Sequence, residues 1–311
     1  MRGTSSKGPK KQKTISSMVG EILQSLLPYL GFGVFAVPVL VYGAVKYAHG
    51  PTPEVRREGL DLMLDVLVGA TMFGVLTSLI HSNFFVNSVY AIASSIAVDV
   101  NGTSTTLAAH MPITNNATQL LGWSARTAYR YFNATAGWFS AFWKVDITFA
   151  IIPPLSPFSW YLQQSTWYLQ MMLTATITNL GIIYALSLIA EYAWGFVGLA
   201  VGMLLIRQTR PIGTFIITLC LVSLFLAPLL TAYTVIALEP ALHQLGVPPN
   251  SNPTWSEAWG FLELMWNNGF QAGLAMQTYD VVVDTVLAFA LATSIGISRI
   301  FGEAITEILP I

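Results

Sequence analysis

The sequence predicts an all-α fold: a polytopic transmembrane helical bundle of five to six spans, with a large extracellular loop. Three observations carry that expectation. Hydrophobic residues make up 54% of the 311-residue chain and charged residues only 9%, against about 25% in a soluble domain; so little charge cannot cover a soluble fold. Several apolar runs reach the ~20 residues needed to cross a ~30 Å hydrocarbon core. Between two of them lies a polar insert carrying three N-glycosylation sequons. The net charge of −1 supplies no field that would gather nucleic acid.

The first twenty residues form a polar tail with Arg2, Lys7, Lys10, Lys11 and Lys13. Ile22–Val45 is uncharged throughout. It is too long for the h-region of a signal peptide and is followed by Lys46 rather than a small-residue cleavage site, so it reads as a retained span. Pro28, Gly31, Gly33 and Pro38 predict a kinked or partly re-entrant helix. Leu60–Ile80 is a second span, which gives residues 21–83 two transmembrane helices. Residues 84–166 read as an extracellular or interfacial insert rich in aromatics. Its first part, Phe84–Val98, is short and interrupted by Asn87, Ser88, Ser94 and Ser95. It is either a weak third span or a helix lying on the membrane.

From Asp99 to Asp146 the chain turns polar, with sequons at Asn101, Asn116 and Asn133; three so close together favour an outward-facing loop. Ile147–Trp160 contains Pro153, Pro154 and Pro157 and reads as an interfacial or re-entrant piece. Residues 167–311 hold the remaining spans. Trp167–Ile206 is a long apolar helix, either tall or broken near Asn179-Leu-Gly181. Arg207-Gln-Thr-Arg210-Pro211 is a basic turn, Ile212–Leu238 a clean span, Trp259–Tyr279 a moderately apolar segment and Asp280–Ile300 the last span.

Lys and Arg concentrate on the cytoplasmic side of plasma-membrane proteins. That rule puts residues 207–211 and the C-terminus inside and the 99–146 loop outside. Two topologies satisfy it: six spans with an inner N-terminus if Phe84–Val98 crosses, or five spans with an outer N-terminus and Arg56/Arg57 inside if it does not.

No phosphate-binding loop, nucleophile elbow or metal-binding helix motif appears, so an enzyme is not expected. The four histidines lie in separate segments, and Cys220 is the one cysteine. Neither a metal nor a cofactor is expected.

Acidic residues within spans are the chief chemical candidates. Asp61/Asp65 and Asp280/Asp284 are i,i+4 pairs, each on one helix face, and Glu191 is flanked by apolar sequence on both sides. One reading makes these five carboxylates the lining of an aqueous path or ion-coupling site. The other places both pairs near helix starts at headgroup depth, stabilised by water and the helix dipole. Ala70/Gly74, Gly198/Gly202 and Gly269/Gly273 have the small-xxx-small spacing of close helix contacts, within the chain or in a homo-oligomer. The aromatics Trp138, Phe142, Trp143, Trp160 and Trp167 read as an interfacial belt or an outer docking platform.

This layout of early paired spans, one large outer segment, a tall helix, a tight basic turn and further spans resembles the TrbL-like polytopic membrane channel family of type IV secretion systems, and within it the archaeal DNA-import members. The resemblance implies a non-enzymatic channel or scaffold subunit for DNA transfer and pilus assembly. It also implies small hydrophobic companion membrane subunits, a hexameric motor ATPase and transient DNA passage. Two other readings of the residues stand beside it: a small-molecule or ion transporter using the intramembrane carboxylates, and a membrane anchor for surface or secretion machinery.

Overall fold

The computed structural model describes residues 15–308 apart from 101, 152, 247 and 249–252. The basic tail up to residue 14 and the sequon residue Asn101 therefore lie outside the described residues. Eight α-helices dominate the described part: α1 Ile15–His49, α2 Pro53–His81, α3 Asn83–Ser95, α4 Ala117–Ile151, α5 Ser156–Glu191, α6 Ala193–Leu204, α7 Arg210–Leu245 and α8 Trp255–Ile308. A small antiparallel hairpin, β1 Ala97–Val100 and β2 Thr103–Thr106, joins α3 to α4 through a short 3-10 helix at Leu107–His110. Gly102, at φ +78°, supplies the left-handed residue in its turn. Five segments are long and apolar enough to cross a membrane: Leu26–His49, Pro53–Ile80, Ser156–Glu191, Arg210–Leu245 and Trp255–Ile300.

Local chemistry fixes the turns. The side chain of Thr52 accepts the Val55 N–H at the start of α2, and Pro53 occupies the first helical position, where no donor is needed. The Lys46 ammonium meets the Glu58 carboxylate at 2.8 Å, tying α1 to α2 beside that turn. Gly43 and Gly59 let the two helices touch, since a Cβ on either would sit 2.9 or 2.6 Å from the other's carbonyl oxygen.

Matched contacts set the helix directions. Pro28, Gly31 and Phe35 of α1 meet Gly198, Leu199 and Gly202 of α6 in the same order, so α1 and α6 run parallel. Ser298 of α8 reaches Thr214 near the start of α7, so those two are antiparallel. The α1–α2 turn, the α6–α7 turn and the C-terminal part of α8 thus share one end of the bundle, here called the base. It gathers Lys46, Arg56, Arg57, Arg207, Arg210 and Arg299.

The opposite end is a tower. Thr231 lies 21 residues along α7 from Arg210, about 32 Å of helix at ~1.5 Å per residue. That is already the thickness of a hydrocarbon core. At this level the Ser124 hydroxyl of α4 meets Thr231 at 2.7 Å and Ser187 of α5 at 2.9 Å. From Ser124, α4 climbs a further 27 residues to Ile151, about 40 Å more. It is paired with α5 along its length, from Gly122 beside Glu191 at the lower end to Asp146 against Ser159 at the tip. The 54 residues of α8 measure about 81 Å and run alongside both base and tower.

Several sequence expectations are corrected here. Phe84–Val98 does not cross: α3 has 13 residues, about 20 Å, and the chain then enters the β-hairpin. Most of the 99–146 stretch expected as a loop is helix. Its Asn- and Thr-rich composition hid an apolar stripe, Leu121, Ala125, Ala128, Tyr131, Trp138, Phe142, Val145 and Phe149, that α5, α7 and α8 cover. Ile147–Trp160, expected as an interfacial or re-entrant piece, forms the tip of the α4–α5 hairpin, where Pro153–Leu155 make the turn. The long helix is unbroken at Asn179-Leu-Gly181; it stops at Glu191, and Tyr192 leaves helical geometry before α6. Trp259–Tyr279 and Asp280–Ile300 form one continuous helix.

Candidate functional site

Neither acidic pair sits at a helix start. Asp65 lies thirteen residues into α2 and Asp280 in the middle of α8. Asp65, Glu191 and Asp280 also fail to share a path, because they lie at different helix interfaces.

Asp65, buried on α2, lies 4.0 Å from the guanidinium of the equally buried Arg210 on α7. Arg210 also donates its Nε to the Leu204 carbonyl at 3.0 Å, which holds the end of α6 against α7. Asp61 is half-buried one turn away. Glu191, at the end of α5, has Oε1 3.7 Å from where a Gly122 side chain would begin, and Arg126 has Nη2 at 3.9 Å from the same point. The carboxylate and the guanidinium thus share the space above Gly122, on α4. Asp280, buried on α8, accepts from Thr176 Oγ1 at 2.8 Å and Asn179 Nδ2 at 3.0 Å, both on α5. Asp284, its partner in the sequence pair, is exposed. Asp65 and Asp280 act as clasps between α2 and α7 and between α8 and α5.

The tower is stitched by further polar contacts. Tyr279 of α8 and Thr234 of α7 share a 3.0 Å hydrogen bond. Burial, and then the Glu239 carboxylate that its hydroxyl reaches, push the Tyr131 phenol well above its ordinary range. A buried phenol that stays protonated is a permanent donor, which suits a link between α4 and α7.

The small-residue pairs divide. Gly198 and Gly202 form a tight α6–α1 seam, where a Cβ on Gly198 would fall 2.1 Å from the Pro28 carbonyl oxygen. Gly273, with Gly269, lets α8 approach Tyr168 and Leu169 of α5. Ala70 and Gly74 face outward, with nothing within 4 Å of a Gly74 side chain.

The expected docking aromatics divide as well. Trp138 and Phe142 are buried against Phe261, with ring centroids 6.0 and 5.0 Å apart, so they are core residues and not a docking surface. Trp143, Trp160 and Trp167 are exposed by 54%, 65% and 63%. Of the sequon residues, Asn116 is exposed and caps α4 by accepting the Thr118 N–H at 2.9 Å. Asn133 is exposed on α4, while the hydroxyl of its sequon partner Thr135 is buried on the Tyr131 carbonyl.

Sequence reasoning missed a groove of about 210 Å³ on the tower, between α4 and α5. Phe142, Trp143, Asp146, Gln163, Trp167 and Gln170 line it, with Gln164 at its rim. Asp146 accepts from Ser159 Oγ at 2.6 Å and from Gln163 Nε2 at 2.8 Å. No short motif announces it, because the helical hairpin brings together residues that the sequence separates by up to 28 positions.

No protein family, no curated protein and no solved structure matches this chain in the three comparisons made.

Proposed function

We propose that this chain is a non-enzymatic membrane platform, a channel or scaffold subunit of a DNA-transfer apparatus of the TrbL-like, type IV secretion-related kind. The observation that carries the platform reading is the division of one continuous bundle into a base of bilayer thickness and a helical tower projecting well beyond it. A transporter of small solutes needs no such tower; a subunit that docks other components does. Support for the DNA-transfer assignment comes from the layout: paired early spans, a large extramembrane segment, a tall helix, a basic turn and further spans.

With the basic base inside, as the positive-inside rule favours, the tower stands outside the cell and the start of α1 lies on the tower side. The chain then crosses five times, with α5 and α6 together making the third crossing. Small hydrophobic companion subunits and a hexameric motor ATPase belong to this proposal, as does a homo-oligomer. The outward Ala70/Gly74 face of α2 suits helix contacts in the membrane. DNA would pass along assembled subunits, since Asp65, Glu191 and Asp280 of one chain lie at separate helix interfaces.

Deletion of the gene tests the assignment. Loss of DNA transfer, restored by the wild-type gene, is expected; undiminished transfer in the deletion strain would overturn it.

One observation favours a second reading, a cation-coupled transporter. Asp280 is buried and its hydrogen-bond donors, Thr176 and Asn179, are neutral. In that case Asp280→Asn abolishes solute uptake by vesicles while removal of the α4–α5 tip leaves uptake intact. The platform reading expects the reverse order of sensitivity for DNA transfer.

A further inference from the structure

We propose that the α4–α5 groove on the tower is a binding site for a neutral saccharide. The inference rests on the tower standing in water, as the platform reading has it. Two indoles, Trp143 and Trp167, line the groove from opposite helices and stay more than half exposed. Trp143 is held edge-on by Phe139, with centroids 6.5 Å apart. An exposed indole offers an apolar face of the size of one pyranose ring, whose axial C–H groups form a matching apolar face. Around it stand the groups that hydroxyls need: the Asp146 carboxylate and the amides of Gln163, Gln164 and Gln170. Aromatic walls with a few placed polar groups are the usual make-up of a small-ligand site.

The polar groups are also pre-oriented. Asp146 is fixed by Ser159 and Gln163, and Gln170 donates to Thr166 Oγ1 at 2.9 Å, which leaves its amide oxygen as an acceptor. The volume of about 210 Å³ admits one ring, with the rest of a chain running out past Trp167. A single carboxylate with three amides favours hydroxyls over acidic sugars, because the carboxylate repels an anion. The groove on the other side of α5 differs: its Tyr161 and Trp266 rings already stack on each other at 6.0 Å.

The test uses the full chain in nanodiscs, titrated with maltotriose, mannotriose, cellotriose and a galacturonic acid trimer by calorimetry. At least one neutral trisaccharide is expected to bind, with millimolar or better affinity, and the acidic trimer is expected not to. Trp167→Ala and Asp146→Ala should each weaken binding by roughly tenfold or more. Trp160→Ala, an exposed indole outside the groove, should leave it unchanged. No binding of any neutral trisaccharide up to about 10 mM, equal loss with Trp160→Ala, or binding of tetramethylammonium in their place would overturn the assignment. The last outcome matters because a carboxylate between indoles also suits a cation. Labelling of Trp167→Cys in the same nanodiscs by a membrane-impermeant maleimide separates the two ideas. A labelled cysteine without saccharide binding sinks the site alone, whereas a lipid-protected cysteine sinks the placement of the tower and the site with it.

Discussion

The α1–α6 seam at the base closes on glycine, whereas the contact of α4 with α8 in the tower closes on aromatic rings. The α1–α6 seam closes on Gly198, Gly202 and Gly31, with backbone almost touching backbone. The tower core instead packs Trp138 and Phe142 on Phe261, Phe149 against Trp255, and Tyr233 flat on Tyr279 at 5.7 Å. Under the proposed placement, with the base in lipid and the tower in water, the difference follows from the solvent. Lipid tails are as apolar as leucine, so burial drives no association there and close contact of small residues must do it. In water, burying large rings is itself the driving force. The α1–α6 and α4–α8 contacts thus use two packing chemistries, on either side of the Ser124–Ser187–Thr231 cluster.

The largest expected effect breaks the tower alone. Trp138→Ala removes a buried indole and should cost about 3–5 kcal/mol. Limited proteolysis in detergent should then cut α4 and α5 while α1, α2 and α6 stay intact. If the base unfolds at the same denaturant concentration, the two halves are not distinct. Next comes the clasp of α2 to α7. Arg210→Met strands Asp65 in the base and should cost about 3 kcal/mol, with much of it recovered when Asp65→Leu is added. A double variant no more stable than the single one contradicts a coupled pair.

Gly198→Ala puts a methyl carbon against the Pro28 carbonyl and should cost about 1–3 kcal/mol, read as a lower melting temperature. Gly74→Ala, which meets open space, should change nothing; equal effects would remove the case for a glycine seam. The smallest effect sharpens the dividing line. Ser124→Ala should cost about 1 kcal/mol, and slightly more for the Ser124→Ala, Thr231→Val pair than for either alone.

How much of this was legible in the sequence depends on which solvent a residue faces. Leu60–Ile80 and Ile212–Leu238 were readable because membrane spans announce themselves by length and missing charge. Gly198/Gly202 was readable by spacing, although only the fold shows α1 as its partner. Within the tower, α5 was readable as a long helix from Trp167 on, but α4 was not. Its stripe from Leu121 to Phe149 is interleaved with Asn, Thr and Arg, so composition pointed to a loop while the 3–4 residue spacing, followed through, pointed to α4. The acids were found, but their partners were not. Asp280 and Thr176 are 104 residues apart, and nothing local in either segment links them. The groove around Asp146 was invisible for the same reason.

The division between base and tower can be tested by two positions that are equally exposed in the structure. Ile151 at the tower tip is 72% exposed and Phe289 on α8 is 73% exposed. The native Cys220, buried in the fold, is replaced by alanine so that it does not label after denaturation. Single cysteines at 151 and 289 are treated, in membranes, with a membrane-impermeant maleimide, and again after solubilisation and denaturation. Rapid labelling at 151 and none at 289 before denaturation is the expected result. Protection of both, or equal labelling of both, would contradict a tower that stands clear of the bilayer.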